Sequence, residues 1–222
     1  MSSTVAAVMA AAAVTAGAAL ADTDRKQIKL TAADQAAARA ALVRRSDLPG
    51  KAWLGGRTKP DLSRTSACRD YQPKQSDLVL TGVAESSFTR RDARLYVDSG
   101  VQMLRTARMV RLDWQRVVVA PRAIRCHRRD VAKSIGQNGR LVSFGRIPFP
   151  HLTRYAIEYR AVVDVPAGNT DAGRWLVDAV LFGSGRVEMS LNVFARIDAR
   201  VATTKLERRL ARTMVSRARS SR

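Results

Sequence analysis

The stretch RWLVDAVLFGSGRVEMSLNVFARI, residues 174–197, decides the fold class. Its second half alternates. Val187, Met189, Leu191 and Val193 fall on one side, and Glu188, Ser190 and Asn192 fall on the other. A period of two is the strand period. The first half, RWLVDAVLF, is a compact apolar run of strand length. Between them stands Gly183-Ser184-Gly185, read as a tight hairpin turn. Upstream, TRYAIEYRAVVDV, residues 153–165, alternates in the same way. Tyr155, Ile157, Tyr159, Ala161 and Val163 point one way, and Glu158, Arg160 and Asp164 the other. The turn-rich PAGNTDAG joins this segment to the hairpin. Three neighbouring strands of this kind specify an antiparallel sheet.

Working outward, GRLVSFGRIPF (139–149), LVLTGVAESSF (78–88) and ARLYVDSGVQML (93–104) read as further strands. The first carries a Gly-marked irregularity, the second ends in a polar bend, and Gly100 marks a bulge in the third. Helical spacing appears in TAADQAAARAALVRR (31–45), with Thr31 as cap and Asp34 in the first turn. It recurs over residues 105–119 and from Arg122 to Ile135, where Gly136 stops it. A basic helix over 199–218 repeats Leu206, Leu210 and Met214 at i+4. Residues 50–77 are irregular, with Trp53 plugging them into the core. The expectation is an α+β fold: an antiparallel sheet of about five to six strands, helices packed on one face, and one disulfide. Its parts are the 31–45 helix, a Cys-bearing loop at 50–77, a sheet with inserted helices over 78–198, and the 199–218 helix.

Residues 4–21, TVAAVMAAAAVTAGAALA, carry no charge and end in a small-x-small pattern before Asp22. That is the shape of a secretory signal peptide over residues 1–21, leaving 22–222 as one exported domain. Ten of those eighteen residues are Ala, which argues against a retained membrane anchor. The opening MSST lacks the usual Lys or Arg. An exported chain with two cysteines, Cys68 and Cys126, most simply pairs them. Closing a loop of this length is worth roughly 4 kcal/mol in the chain-entropy estimate. The alternatives are free thiols, or a Cys126 nucleophile with His127 as its base and Arg125, Arg128 and Arg129 lowering its pKa.

Net charge is +20, and 32 of the 39 basic residues are Arg. Such a balance suits a GC-rich genome or a surface for polyanions: nucleic acid, anionic lipid or acidic wall polymer. Lys205, Arg208, Arg209, Arg212 and Arg217 on the last helix are the candidate polyanion contacts. Aromatic residues make up only 5% and are not interleaved with basic ones, so no base-stacking platform is present.

The Cys-bearing loop near Cys68, the SSF element at 86–88 and the Trp114–Cys126 helical region follow one another in a particular order. RLVSFGRIPFP, the YR strand, VDAVLFGSGRVEMSL and LARTMVSRAR complete it. Over residues 31–218 this order resembles the extracellular sensor domains of bacterial receptor serine/threonine kinases and related secreted proteins of GC-rich Gram-positive bacteria. Those are similar in plan to PsbP-like α+β sandwiches. The resemblance implies a ligand-binding or interaction module rather than a receptor in itself. Domains of that kind are thought to hold two disulfides, and two cysteines form one.

Catalytic chemistry finds little footing. His127 and His151 are the only histidines, and neither has a partner at metal-ligand spacing, so no metal or cofactor is expected. No GxSxG elbow or SxxK dyad stands out. Glu158, Asp164, Asp178 and Glu188 fall on neighbouring strands, where acid–base work competes with neutralising cross-strand arginines. Tyr155, Tyr159 and Trp175 are candidate pocket residues, against a role in the core. The expected function is an exported, non-enzymatic, sensor-like domain binding a small ligand or an envelope component. A polyanion-binding protein is the alternative.

Overall fold

The computed structural model describes residues 24–62, 71–136, 139–167 and 172–220. The expected signal peptide and Cys68 lie outside the described residues. The alternating segments form the long strands β3 (Val79–Arg90), β4 (Leu95–Leu104), β5 (Arg140–Ile147), β6 (Tyr155–Val165), β7 (Gly173–Ser184) and β8 (Val187–Arg196). Two short strands, β1 (Gln27–Ile28) and β2 (Leu54–Thr58), join them. The helices are α1 (Ala32–Ala41), α2 (Ala107–Asp113), α3 (Pro121–Ile135) and α4 (Arg200–Ser220). Local signals set their ends. Thr31 caps α1 by accepting a hydrogen bond from the Asp34 amide at 3.2 Å. Pro121 opens α3, and Gly136, at φ 56°, closes it.

All the strands belong to one eight-stranded sheet, ordered β1-β3-β4-β8-β7-β6-β5, with β2 also on β3. β1 pairs in parallel with the start of β3, and β2 antiparallel with its end. Every other pairing is antiparallel. The α+β class holds, but the sheet has eight strands rather than five or six. The two extra strands escape a periodicity argument for a physical reason. β1 spans two residues, β2 reads LGGRT, and neither buries a face.

Helices cover both faces, not one. On the first face α1 and α4 bring Ala38, Ala41, Leu42, Leu210 and Met214 against Val97, Val101, Phe182, Leu191 and Val193. Trp53 joins this cluster. On the second face α2, a π-turn at Trp114–Val118 and α3 cover the sheet. Trp114 and Val118 meet Ile157, Tyr159 and Leu181; Val131 and Ile135 meet Ala161, Val163 and Trp175. β7 is therefore buried on both sides, as its near-continuous apolar run requires.

Three local expectations are also corrected. Gly100 sits in regular register opposite Glu85 and Ser190, and the β3–β4 shift falls instead between Leu80 and Gly82. The SSF element is strand, not bend. Ser184 pairs with Val187, so the hairpin loop is Gly185-Arg186, with Gly185 at φ 59° as a Gly-first tight turn requires.

Candidate functional site

Helix α2 does not run on to residue 119 as one helix. At Trp114 it widens into a π-turn, sealed by the Val119 amide donating to the Trp114 carbonyl at 3.1 Å. Such widenings re-aim side chains and recur at functional sites. Here the π-turn forms the roof of a cleft on the second face of the sheet. Asp113, Trp114, Val117 and Val118 come from the roof, and His127 from α3. Val83 and Glu85 of β3, Gly100 and Gln102 of β4, Leu181 of β7, and Glu188 and Ser190 of β8 form the floor. The cleft is narrow: the space open to the centres of water-sized molecules is about 50 Å³.

The two ends of the cleft differ. One is apolar: Trp114, Val117, Val118 and Leu181. The other is charged. Lys26 donates to Asp113 Oδ2 at 2.5 Å and to Gln102 Oε1 at 3.0 Å. Gln75 Nε2 donates to the other Asp113 oxygen at 3.2 Å. Burial works against charge on Lys26, but Asp113 and Glu188 outweigh it and raise its pKa. Burial, and then the charge of Asp113, push Glu188 well above the usual carboxyl range against the pull of Lys26. Glu188 Oε1 is buried without a hydrogen-bond partner. His127 donates from Nε2 to the Val117 carbonyl at 2.8 Å, and burial pushes its pKa down against the pull of that bond and of Asp130.

This constellation of Lys26, Gln102, Asp113, Glu188 and Trp114 was not read from the sequence. Asp113 carried the available signal, as the only acid in residues 105–119. The sequence-derived candidates lie elsewhere. Tyr159 is buried, stacks on Phe144 at 5.7 Å and donates its hydroxyl to the Val118 carbonyl at 3.0 Å. Tyr155 stacks on Trp114 at 5.4 Å, from behind the roof. Trp175 is fully buried beside Tyr96, with Arg196 over its ring. None of the three is among the residues lining the cleft. On α4, Lys205, Arg208, Arg209 and Arg212 are exposed, whereas Arg217 is held by Asp47. Asp164 is paired with Arg140 and Arg174, and Asp178 with Arg160, so arginines across the strands do neutralise these carboxylates.

No family model and no curated protein sequence matches the chain. Among solved structures, it is similar to the extracellular domain of PknH from Mycobacterium tuberculosis, at a TM-score of 0.45 and 11% identity. That match covers 84% of this chain and 96% of the other. The likeness is loose and lies in overall plan. No helix among the described residues is long and apolar enough to cross a membrane. The expected Cys68–Cys126 bridge is not shown, since Cys68 lies outside the described residues. At its other end, Cys126 is buried in α3, and no described cysteine is free.

Proposed function

We propose that this chain is an exported, non-enzymatic, sensor-like domain that binds a small amphiphilic ligand in the cleft under the π-turn. One observation carries the reading: a narrow cleft with an apolar end at Trp114, Val118 and Leu181 and a polar end at Gln102, Asp113 and Glu188, the first two held by Lys26. Ligand sites combine a mostly apolar lining with a few fixed polar groups in this way. The apolar part of the ligand would lie on Trp114. A hydrogen-bonding head group would meet Gln102 and the unpartnered Glu188 oxygen. The signal-like sequence of residues 4–21 supports a location at the cell envelope, where a Cys68–Cys126 bridge would persist.

The test is mass spectrometry, native and denatured, on the full chain recovered from outside the cell. Expected are a polypeptide beginning at Asp22 and two hydrogens light, and extra native mass that Trp114→Ala abolishes. An apo mass in every preparation, or turnover of a wall glycan, peptide or ester, would overturn the reading.

A second reading rests on the exposed Lys205, Arg208, Arg209 and Arg212 of α4 together with the net charge of +20. It gives the helix a polyanion surface. Affinity for DNA or anionic vesicles should then fall steeply with salt. Binding that is absent or insensitive to salt removes this reading.

A further inference from the structure

On the opposite face of the sheet, beneath α4, three carboxylates converge. Glu158 rises from β6, Asp178 from β7, and Glu207 descends from α4. One oxygen from each lies within 4.8 Å of the others. Their exposures are 1%, 0% and 0%. Arg160 grips both oxygens of Asp178, each at 2.6 Å. It stands 3.6 Å from Glu158 Oε1, too far for a hydrogen bond. Both oxygens of Glu207, and Oε1 of Glu158, have no hydrogen-bond partner. Buried acceptors are nearly always satisfied, and buried charges are paired or bind metals.

We propose that Glu158, Asp178 and Glu207 form a site for a hard divalent cation of the calcium class, which clamps α4 to the sheet. The donor set is all oxygen, which selects hard cations over zinc or copper. Oxygens bound at about 2.0–2.6 Å to one ion lie within about 5 Å of each other, the spread seen here. The charges also balance: three carboxylates and Arg160 sum to −2. Asp178 keeps lone pairs free on the side away from Arg160. Without a cation the site must hold protons. Burial first, then the charge of Asp178, push Glu158 to about 7 and Glu207 to about 10, a protonated Glu207 being able to share its proton with Asp178, against the pull of Arg160 on both and of Arg208 on Glu158.

The experiment uses the full chain, stripped with chelator and titrated at pH 7.5 with Ca²⁺, Mg²⁺, Mn²⁺ or Zn²⁺. Calorimetry and Tm are the readouts. One equivalent should bind, and Tm should rise by about 5–10 °C at a hundredfold excess over Kd. Glu207→Gln should abolish both effects. The amide has the shape of the protonated acid it replaces, and Glu158→Gln decides the matter if the first variant does not fold. The proposal fails if no cation binds up to about 10 mM, above the range of weak extracellular calcium modules. It also fails if a saturable shift survives unchanged in the variant.

Discussion

Arg217 holds Asp47 in a two-pronged grip, Nη1 to Oδ2 at 2.7 Å and Nη2 to Oδ1 at 2.6 Å, across 170 residues of chain. A further bond from Arg217 Nη1 reaches the Leu42 carbonyl at 2.9 Å. The last turns of α4 are thereby fastened to the segment leaving α1.

This grip predicts a pH dependence. Burial pushes the Asp47 carboxyl up, but hydrogen bonds from Arg217 and the Arg44 amide outweigh it and hold the pKa below the usual value. A carboxyl lowered by folding stabilises above its unfolded pKa, near 3.9, and loses that contribution as pH falls through the folded value. Asp47→Asn should cost about 1 kcal/mol at pH 7, since the pair is partly exposed. The gap should close below about pH 4. Urea unfolding of both proteins at pH 7, 5 and 3 measures it, and a gap independent of pH would refute the assignment.

The cleft floor depends on Gly100. A Cβ there would meet Ser190 Oγ at 2.7 Å. The hydroxyl can rotate away from a methyl group, so Gly100→Ala should fold with little loss. Gly100→Val projects branches into the cleft and should weaken ligand binding by about tenfold, some 1.4 kcal/mol. Native-mass titration beside a far-ultraviolet dichroism control separates lost binding from lost fold.

The roof depends on Tyr159. Its hydroxyl satisfies the Val118 carbonyl, the last residue of the π-turn. Tyr159→Phe leaves that buried carbonyl unpaired, at a cost of about 1–2 kcal/mol. Hydrogen exchange at residues 114–119 should speed up more than exchange in β7. Uniform acceleration would mean that the bond serves the whole core rather than the roof.

Packing of α4 sets a contrast between two of its side chains. Leu210 is fully buried against the first sheet face, so Leu210→Ala should cost about 2–5 kcal/mol. Exposed Arg212, replaced by Ala, should stay within about 0.5 kcal/mol of the parent. Thermal unfolding of the two variants, side by side, tests whether the helix docks through the face described.

Much of the architecture was legible because strand and helix periods differ. Tyr155 to Val163 alternate in sequence and in space, and Leu206, Leu210 and Met214 share one face of α4. What stayed hidden was what lies opposite each face. Glu158 and Arg160 read only as the side opposite Tyr159, with nothing to say that a helix covers it, yet α4 buries Glu158. The cleft escaped for a related reason. Asp113 and Trp114 are neighbours on a helical pattern, and only the π-turn aims both at the floor. Lys26 reaches Asp113 across 87 residues, a pairing no local pattern encodes. Edge strands as short as β1 offer no period to read.

The meeting of α1 and α4 on one sheet face has a consequence for the order of assembly. The strands are complete by Arg196, but their first face has only half its cover until α4 has been synthesised. Until then Leu191, Val193 and the acids at 158 and 178 lack the cover that α4 gives them in the folded chain. Closure of a long loop then precedes its reward, which slows folding. Such a chain stays pliable until its final helix arrives, so the last residues made decide when the whole sheet sets.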